Sequence, residues 1–138
     1  MVNAAHSGGS PNLEGKILYG GDPAGFIIEA DGKKIYHAGD TTVMADMEII
    51  SELYQPEYAL LPVGGRFTMG PREAAYAVTK YLKSVKHVFP MHYGTLPNLT
   101  GTPEQTRIHF DEFKGKHSRE DVNFMDPMKY TESAIDLE

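Results

Sequence analysis

The sequence contains no cysteine. Disulfides, thiolate metal sites and cysteine nucleophiles are thereby excluded, and any metal must be held by His, Asp or Glu. It also lacks any apolar run approaching the roughly 18 to 20 residues that span a bilayer, and its start, MVNAAHSGGS, has neither the basic nor the apolar region of a signal peptide. A cytoplasmic location is expected, with no membrane partner. Positive charge is in deficit: 13 Lys and Arg face 19 Asp and Glu, and the basic residues are scattered, which argues against a nucleic-acid partner. Repeats, low-complexity tracts and long charge runs are missing too, so the 138 residues are expected to form one domain, with a frayed tail at 131–138.

What is present is an alternation of strand and helix patterns. After a Gly- and Pro-containing loop at 6–14, AGFIIE at 24–29 and KIYHA at 34–38 read as a hairpin around a turn with Asp31-Gly32 at its centre. Val43, Met47, Ile50 and Tyr54 then fall on one face of a helix that must stop before Pro56. YALLPV at 58–63 is a short apolar strand, followed by a Gly-rich loop at 64–70 and a second helix from Pro71 that carries Ala75, Val78 and Leu82 on one face. A further strand is expected at 85–91. A third helix starts at Thr102, with Pro103 at its first position and Gln105 placed for a capping box, and stops at Gly115; a last extended piece lies near 122–124. This order predicts an α/β domain with partly parallel strands, whose carboxyl ends share one edge, the usual place for a ligand.

Three candidate metal ligands follow directly on short apolar stretches: His6, Asp40 and His92. If their strands are neighbours, two imidazoles and a carboxylate converge on one divalent cation and leave a position open for catalysis. A cation there lowers the pKa of water from about 15.7 toward about 7 and polarises a carbonyl or phosphoryl oxygen. On pattern alone, three hydrogen-bonded loop residues remain an open alternative.

HAGDTTVMADM at 37–47, LLPVGGRFTMGPREAAYAV at 60–78 and FPMHYGTLPN at 89–98 together resemble the metallo-β-lactamase superfamily. Within it they resemble the small cytoplasmic metal-dependent hydrolases of the ascorbate-6-phosphate lactonase type. The resemblance runs in order from about residue 2 to about residue 100. It implies that His6 matches the family's third metal histidine, Asp40 the aspartate that bridges two metals, and His92 the last metal histidine. A hydroxide between the ions would then attack an ester, lactone, amide or phosphoester of a small-molecule substrate. Zinc is the first expectation for the metal and manganese the alternative, since both accept His and carboxylate ligands.

The family's first motif, His-x-His-x-Asp-His, is absent. Each metal would keep two protein ligands, too few for tight binding. The fold class expected is therefore α/β, as the C-terminal half of an αββα sandwich. Such a half exposes one face of its sheet, so a partner is expected, either an N-terminal half of the same fold or a second copy. A non-catalytic remnant that dimerises or binds through that face is the alternative reading.

Other residues carry two readings each. His37, three residues before Asp40, either orients that carboxylate or is a partly buried strand histidine. Tyr93 either donates a hydrogen bond to an oxyanion, as a catalytic residue beside Asp40, or packs over its loop. Arg66 and Thr68 are substrate-contact candidates, because a cation and a hydroxyl in the 64–70 loop can meet an anionic substrate. That loop lacks the Gly-Lys-Ser/Thr ending of a nucleotide-binding loop. Ser7 has no evident base, and His87, His109 and His117 are expected at the surface.

Overall fold

The structure is a computed structural model that describes residues 1–125, so the tail at 131–138 lies outside the described residues. Its elements in chain order are β1 (Val2–Asn3), β2 (Gly9–Pro11), β3 (Ile17–Tyr19), β4 (Ala24–Ala30) and β5 (Lys33–His37). Then come α1 (Asp46–Tyr54), β6 (Tyr58–Pro62), α2 (Pro71–Lys80), β7 (His87–Met91), α3 (Pro103–Lys114) and β8 (Asn123–Phe124). Six strands form one sheet in the order β1-β4-β5-β6-β7-β8, while β2 and β3 make a separate two-stranded hairpin. Only β4 runs against the others, so β1, β5, β6 and β7 all deliver their carboxyl ends to one edge.

The expected hairpin is present as β4 and β5. Asp31 and Gly32 both take positive φ (50° and 75°), the conformation a two-residue turn needs to match the twist of its strands. Helix α3 has the anticipated cap: the Thr102 side chain accepts from the Gln105 N–H at 3.2 Å, and the Gln105 side chain accepts from the Thr102 N–H at 3.1 Å. Helix α1 begins at Asp46, three residues later than the apolar spacing suggests. The chain is held out of the helix because the Thr42 N–H is bonded to the Ala5 carbonyl; Val43 and Met44 still pack on the core, while Tyr54 is largely exposed. Strand β7 begins at His87 rather than at 85, since the Val85 carbonyl is taken by the Arg119 guanidinium. The 6–14 loop is in part the β2–β3 hairpin, whose three-residue, solvent-exposed strands carry no periodic signal.

One face of the sheet is finished. Tyr36, Ala59, Leu61 and Val88 point into a core closed by Met47 and Ile50 of α1, by Ala74, Ala75 and Val78 of α2, and by Phe110 and Phe113 of α3. Small residues on α2 let its axis approach the sheet. Leu82, on the expected face but beyond the end of α2, is fully buried. Removing a core side chain such as Leu61 to Ala is worth about 2–5 kcal/mol. The opposite face follows the strand register: Phe26 pairs with His37, Ile28 with Ile35, and Leu60 with both His37 and Phe89. Phe26 and Ile28 there are 48% and 46% exposed, which leaves an apolar sheet surface without a covering layer among the described residues.

The amino-terminal end of the parallel strands is closed by polar contacts. The Ser51 hydroxyl donates to Ser84 Oγ at 3.0 Å and accepts from the Ser84 N–H at 2.9 Å, and Ser84 Oγ donates to the Pro56 carbonyl at 2.8 Å. Arg119, 4% exposed, donates to the carbonyls of Val78, Leu82 and Val85 and to Asp121 Oδ1. Those carbonyls lie at the end of α2 and in its following turn, where Leu82's also accepts from the Val85 N–H at 3.2 Å. Burial pushes the Asp121 carboxyl up, but the hydrogen bond and charge of Arg119 outweigh it and hold the group below its usual range.

Candidate metal centre

At the carboxyl edge four loops are tied to one another through backbone contacts. Thr41, fully buried, is the knot: its hydroxyl accepts from the Ala5 N–H at 2.9 Å and donates to the Thr42 carbonyl at 2.9 Å. Its own carbonyl accepts from the Met69 N–H at 2.9 Å. The residue before His6, the residue after Asp40 and the end of the 64–70 loop are thus fixed against each other. Gly39 stands at φ 66°, and a Cβ there would strike the Ala24 carbonyl oxygen, which explains a glycine before Asp40. A Cβ on Gly64 would likewise strike the His92 carbonyl, so the loop after β6 can lie against the loop after β7 only with glycine at that position.

The strand ends bring together the three residues singled out from the sequence. His6 Nε2 lies 3.9 Å and His92 Nε2 3.6 Å from the same oxygen, Asp40 Oδ2. Both distances are too long for hydrogen bonds and close to the separation, about 3.5 Å, of two ligands that share an ion at ~2.0–2.2 Å. His6 Nε2 is buried and has no hydrogen-bond partner; neither has the buried His92 Nδ1. His6 Nδ1 is 3.2 Å from the Ser7 carbonyl, and an N–H placed there leaves the Nε2 lone pair facing Asp40. Two lone pairs aimed at each other across 3.9 Å repel unless a cation lies between them, so this donor set fits a divalent metal. Among the described residues no group of three or more His, Asp or Glu closes around a single point. The geometry is two histidine–aspartate pairs that share one oxygen, each incomplete. His92 also holds φ 55°, a left-handed conformation uncommon outside glycine and asparagine, which aims its ring from the end of β7.

The remaining candidates divide. The His37 ring accepts from the Gly39 N–H at 3.2 Å, so its contact is with the backbone beside Asp40 and not with the carboxylate. Tyr93 follows His92 directly and is half-buried. Arg66 and Thr68 are not brought to the cleft that opens beside Asp40: the Arg66 guanidinium lies 5.1 Å over the Phe67 ring, and the Thr68 hydroxyl is 3.5 Å from the Met69 carbonyl. Ser7 Oγ meets only the neighbouring His6 ring, at 3.2 Å. His87 stacks on Tyr58 with ring centroids 4.9 Å apart, His109 contacts Glu112 at 3.0 Å, and His117 lies edge-on to Tyr76, so none of the three is at the edge. Sequence reasoning passed over Thr41. Its signal was the threonine of Gly-Asp-Thr, whose β-branched side chain suits a buried hydroxyl with two backbone partners.

The fold and this edge define an α/β domain of the metallo-hydrolase type. The chain belongs to the beta-lactamase superfamily: the profile of the beta-lactamase superfamily domain matches residues 1–93. Among curated proteins it is 51% identical over 112 residues to a UPF0173 metal-dependent hydrolase of Rubrobacter xylanophilus, covering 80% of this chain and 46% of that protein. A second protein of that name, from Korarchaeum cryptofilum, is 56% identical over 89 residues, covering 64% and 39%. Among solved structures, Igni18, a metallo hydrolase from the archaeon Ignicoccus hospitalis, superimposes with a TM-score of 0.63 at 37% identity, over 90% of this chain and 47% of its own. A protein of Thermotoga maritima assigned as a Zn-dependent hydrolase of the metallo-beta-lactamase superfamily follows with a TM-score of 0.52 at 30% identity, over 75% and 50%. The chain spans about half the length of the curated relatives it matches.

Proposed function

We propose that this chain contributes the C-terminal half of a cytoplasmic metal-dependent hydrolase site. The observation that carries the reading is Asp40 Oδ2, flanked by ring nitrogens of His6 and His92 that it does not hydrogen-bond. In this reading His6 and Asp40 hold one divalent cation and Asp40 and His92 a second, with zinc favoured and manganese the alternative. Bound metal supplies Lewis acidity, polarising the scissile carbonyl or phosphoryl group and lowering the pKa of water. The chain's own residues do the rest. Asp40 fixes the spacing between the two histidines, and the Ser7 carbonyl holds the His6 tautomer. His37 steadies the backbone of Gly39, and Tyr93 is placed one residue beyond His92 to donate its phenol proton to a developing oxyanion.

The uncovered apolar face of Phe26 and Ile28 supports a partner layer, which an N-terminal half of the same fold supplies together with the missing ligands. The test is zinc titration by calorimetry on the chain alone and after addition of the N-terminal half of a relative. Alone, the chain should hold well under one tightly bound metal per protomer; with the added half, tight binding and esterase or phosphodiesterase activity should appear together. Stoichiometric zinc in the chain alone, lost in Asp40→Ala and in His92→Ala, would instead mean a site completed by self-association. A stable metal-free dimer that gains neither metal nor activity on addition of that half would leave the non-catalytic remnant as the correct reading.

A further inference from the structure

Beside Asp40 and His6 opens a cleft of about 690 Å³, one wall of which is the β2–β3 hairpin. Its lining is unusual in two respects. Among the described residues that line it there is no Lys or Arg and no helix N-terminus, while Asp22 and Asp40 both border it. Beyond the metal site itself, phosphoryl groups are ordinarily met by guanidinium, ammonium or helix N–H groups, none of which lines this cleft among the described residues. The hairpin wall itself carries Leu18, 52% exposed, and Tyr19, 73% exposed.

This wall is held in place. The Tyr19 phenol donates to Asp22 Oδ1 at 2.6 Å, and the Gly20 N–H donates to the Gly8 carbonyl at 2.7 Å. A Cβ on Gly8 would come within 2.6 Å of the Gly21 carbonyl oxygen, so glycine at that position lets the hairpin close to within two residues of His6. Large apolar side chains pinned beside a polar edge, with no covering layer of their own, make a surface suited to a ligand's apolar part.

From the lining we infer that this cleft receives the uncharged, apolar-substituted side of a carbonyl substrate, an ester, lactone or amide, with Leu18 and Tyr19 as its specificity wall, and that it disfavours phosphoesters. The inference rests on the hydrolase reading above and narrows its substrate class.

The test compares two probes of similar size, neutral butyranilide and dianionic phenyl phosphate, by amide NMR on the metal-free full chain. Butyranilide should shift the amides of residues 8–10 and 18–21, and phenyl phosphate should leave them in place. Leu18→Ser, at an exposed position, should weaken butyranilide binding roughly tenfold, whereas Tyr19→Phe, which keeps the ring, should change it by no more than about twofold. Phenyl phosphate binding at these amides as tightly as butyranilide would overturn the assignment. So would butyranilide leaving them unmoved, as when the hairpin serves only as a protein contact. A separate zinc titration, run with the N-terminal half of a relative added and read at the His6 and His92 ring signals, reports on the hydrolase reading alone. If zinc shifts those rings while butyranilide does not reach the hairpin, only the substrate class falls; if zinc shifts neither, the metal site itself falls.

Discussion

At the amino-terminal end of the parallel strands Ser51, Ser84 and Arg119 all find partners, four main-chain carbonyls among them. At the carboxyl end, one strand length away, His6 Nε2 and His92 Nδ1 are buried without any, and His92 sits in a left-handed backbone conformation. The two ends share a sheet and a core, so the difference is not one of local sequence quality. One end spends its polar groups on closing helix and strand termini; the other leaves one nitrogen of each histidine ring unpaired, beside a carboxylate oxygen that both rings face through Nε2. Polar groups that stabilise the fold and those of the candidate site thus lie on separate edges, as expected when a site needs groups that the fold itself leaves unsatisfied.

Substitutions at the two ends should therefore have opposite consequences. The largest effect is expected for Asp40→Ala: zinc affinity, measured by calorimetry with the complementing half present, should fall by more than the roughly 100-fold typical of losing an outer hydrogen-bond partner. The urea midpoint of the metal-free chain should shift by less than about 0.5 kcal/mol equivalent, because Asp40 is half-exposed and makes no hydrogen bond among the described residues. Arg119→Ala is the converse. It removes a buried guanidinium that donates to three main-chain carbonyls, of which Leu82's keeps the Val85 N–H, and to the exposed Asp121 carboxylate, and should cost about 3–5 kcal/mol by urea unfolding. A loss of stability in Asp40→Ala as large as that in Arg119→Ala would break the comparison.

Between the two ends Tyr36 offers a pH test. Its hydroxyl is buried without a partner, and burial pushes the phenol up to about 12 from an ordinary value near 10. The unfolded chain releases this proton first, so folding stability is intact below pH ~10 and falls as the pH rises toward ~12, by about 2–3 kcal/mol. Tyr36→Phe should remove that slope in urea titrations repeated across the range. It should also raise stability at neutral pH by about 1 kcal/mol, since no hydroxyl is then buried unpaired. The smallest effect is expected at Thr41. Thr41→Val keeps the shape and loses two backbone contacts, which should cost about 1–2 kcal/mol, together with a roughly tenfold loss of zinc affinity as the Ala5–His6 segment loosens against Asp40. Unchanged affinity would mean that the backbone pair Thr42–Ala5 suffices to hold His6 in place.

Much of this was legible in the chain because the signals are local. Asp31-Gly32 specifies its turn, Thr102 and Gln105 their cap, and Pro56 the end of α1. His6, Asp40 and His92 stand out as candidates because each sits just past a short apolar stretch. What escaped were features without a period or a motif of their own. The β2–β3 hairpin is too short and too exposed to alternate, Arg119 acts through carbonyls 34 to 41 residues away, and Arg66 turns to Phe67 instead of the cleft.

The absence of cysteine by itself determined that no thiolate of this chain can ligate a metal, and the order of strands and helices pointed to the carboxyl edge of an α/β sheet as the place for a ligand. The choice of which donors face each other belonged to the tertiary structure. His6, Asp40 and His92 lie up to 86 positions apart by their numbering, and only the parallel course of β1, β5 and β7 places two ring nitrogens within 3.9 Å of one carboxylate oxygen. The same register left one face of that sheet apolar and half-exposed, because side chains alternate between faces and, among the described residues, helices cover one face alone.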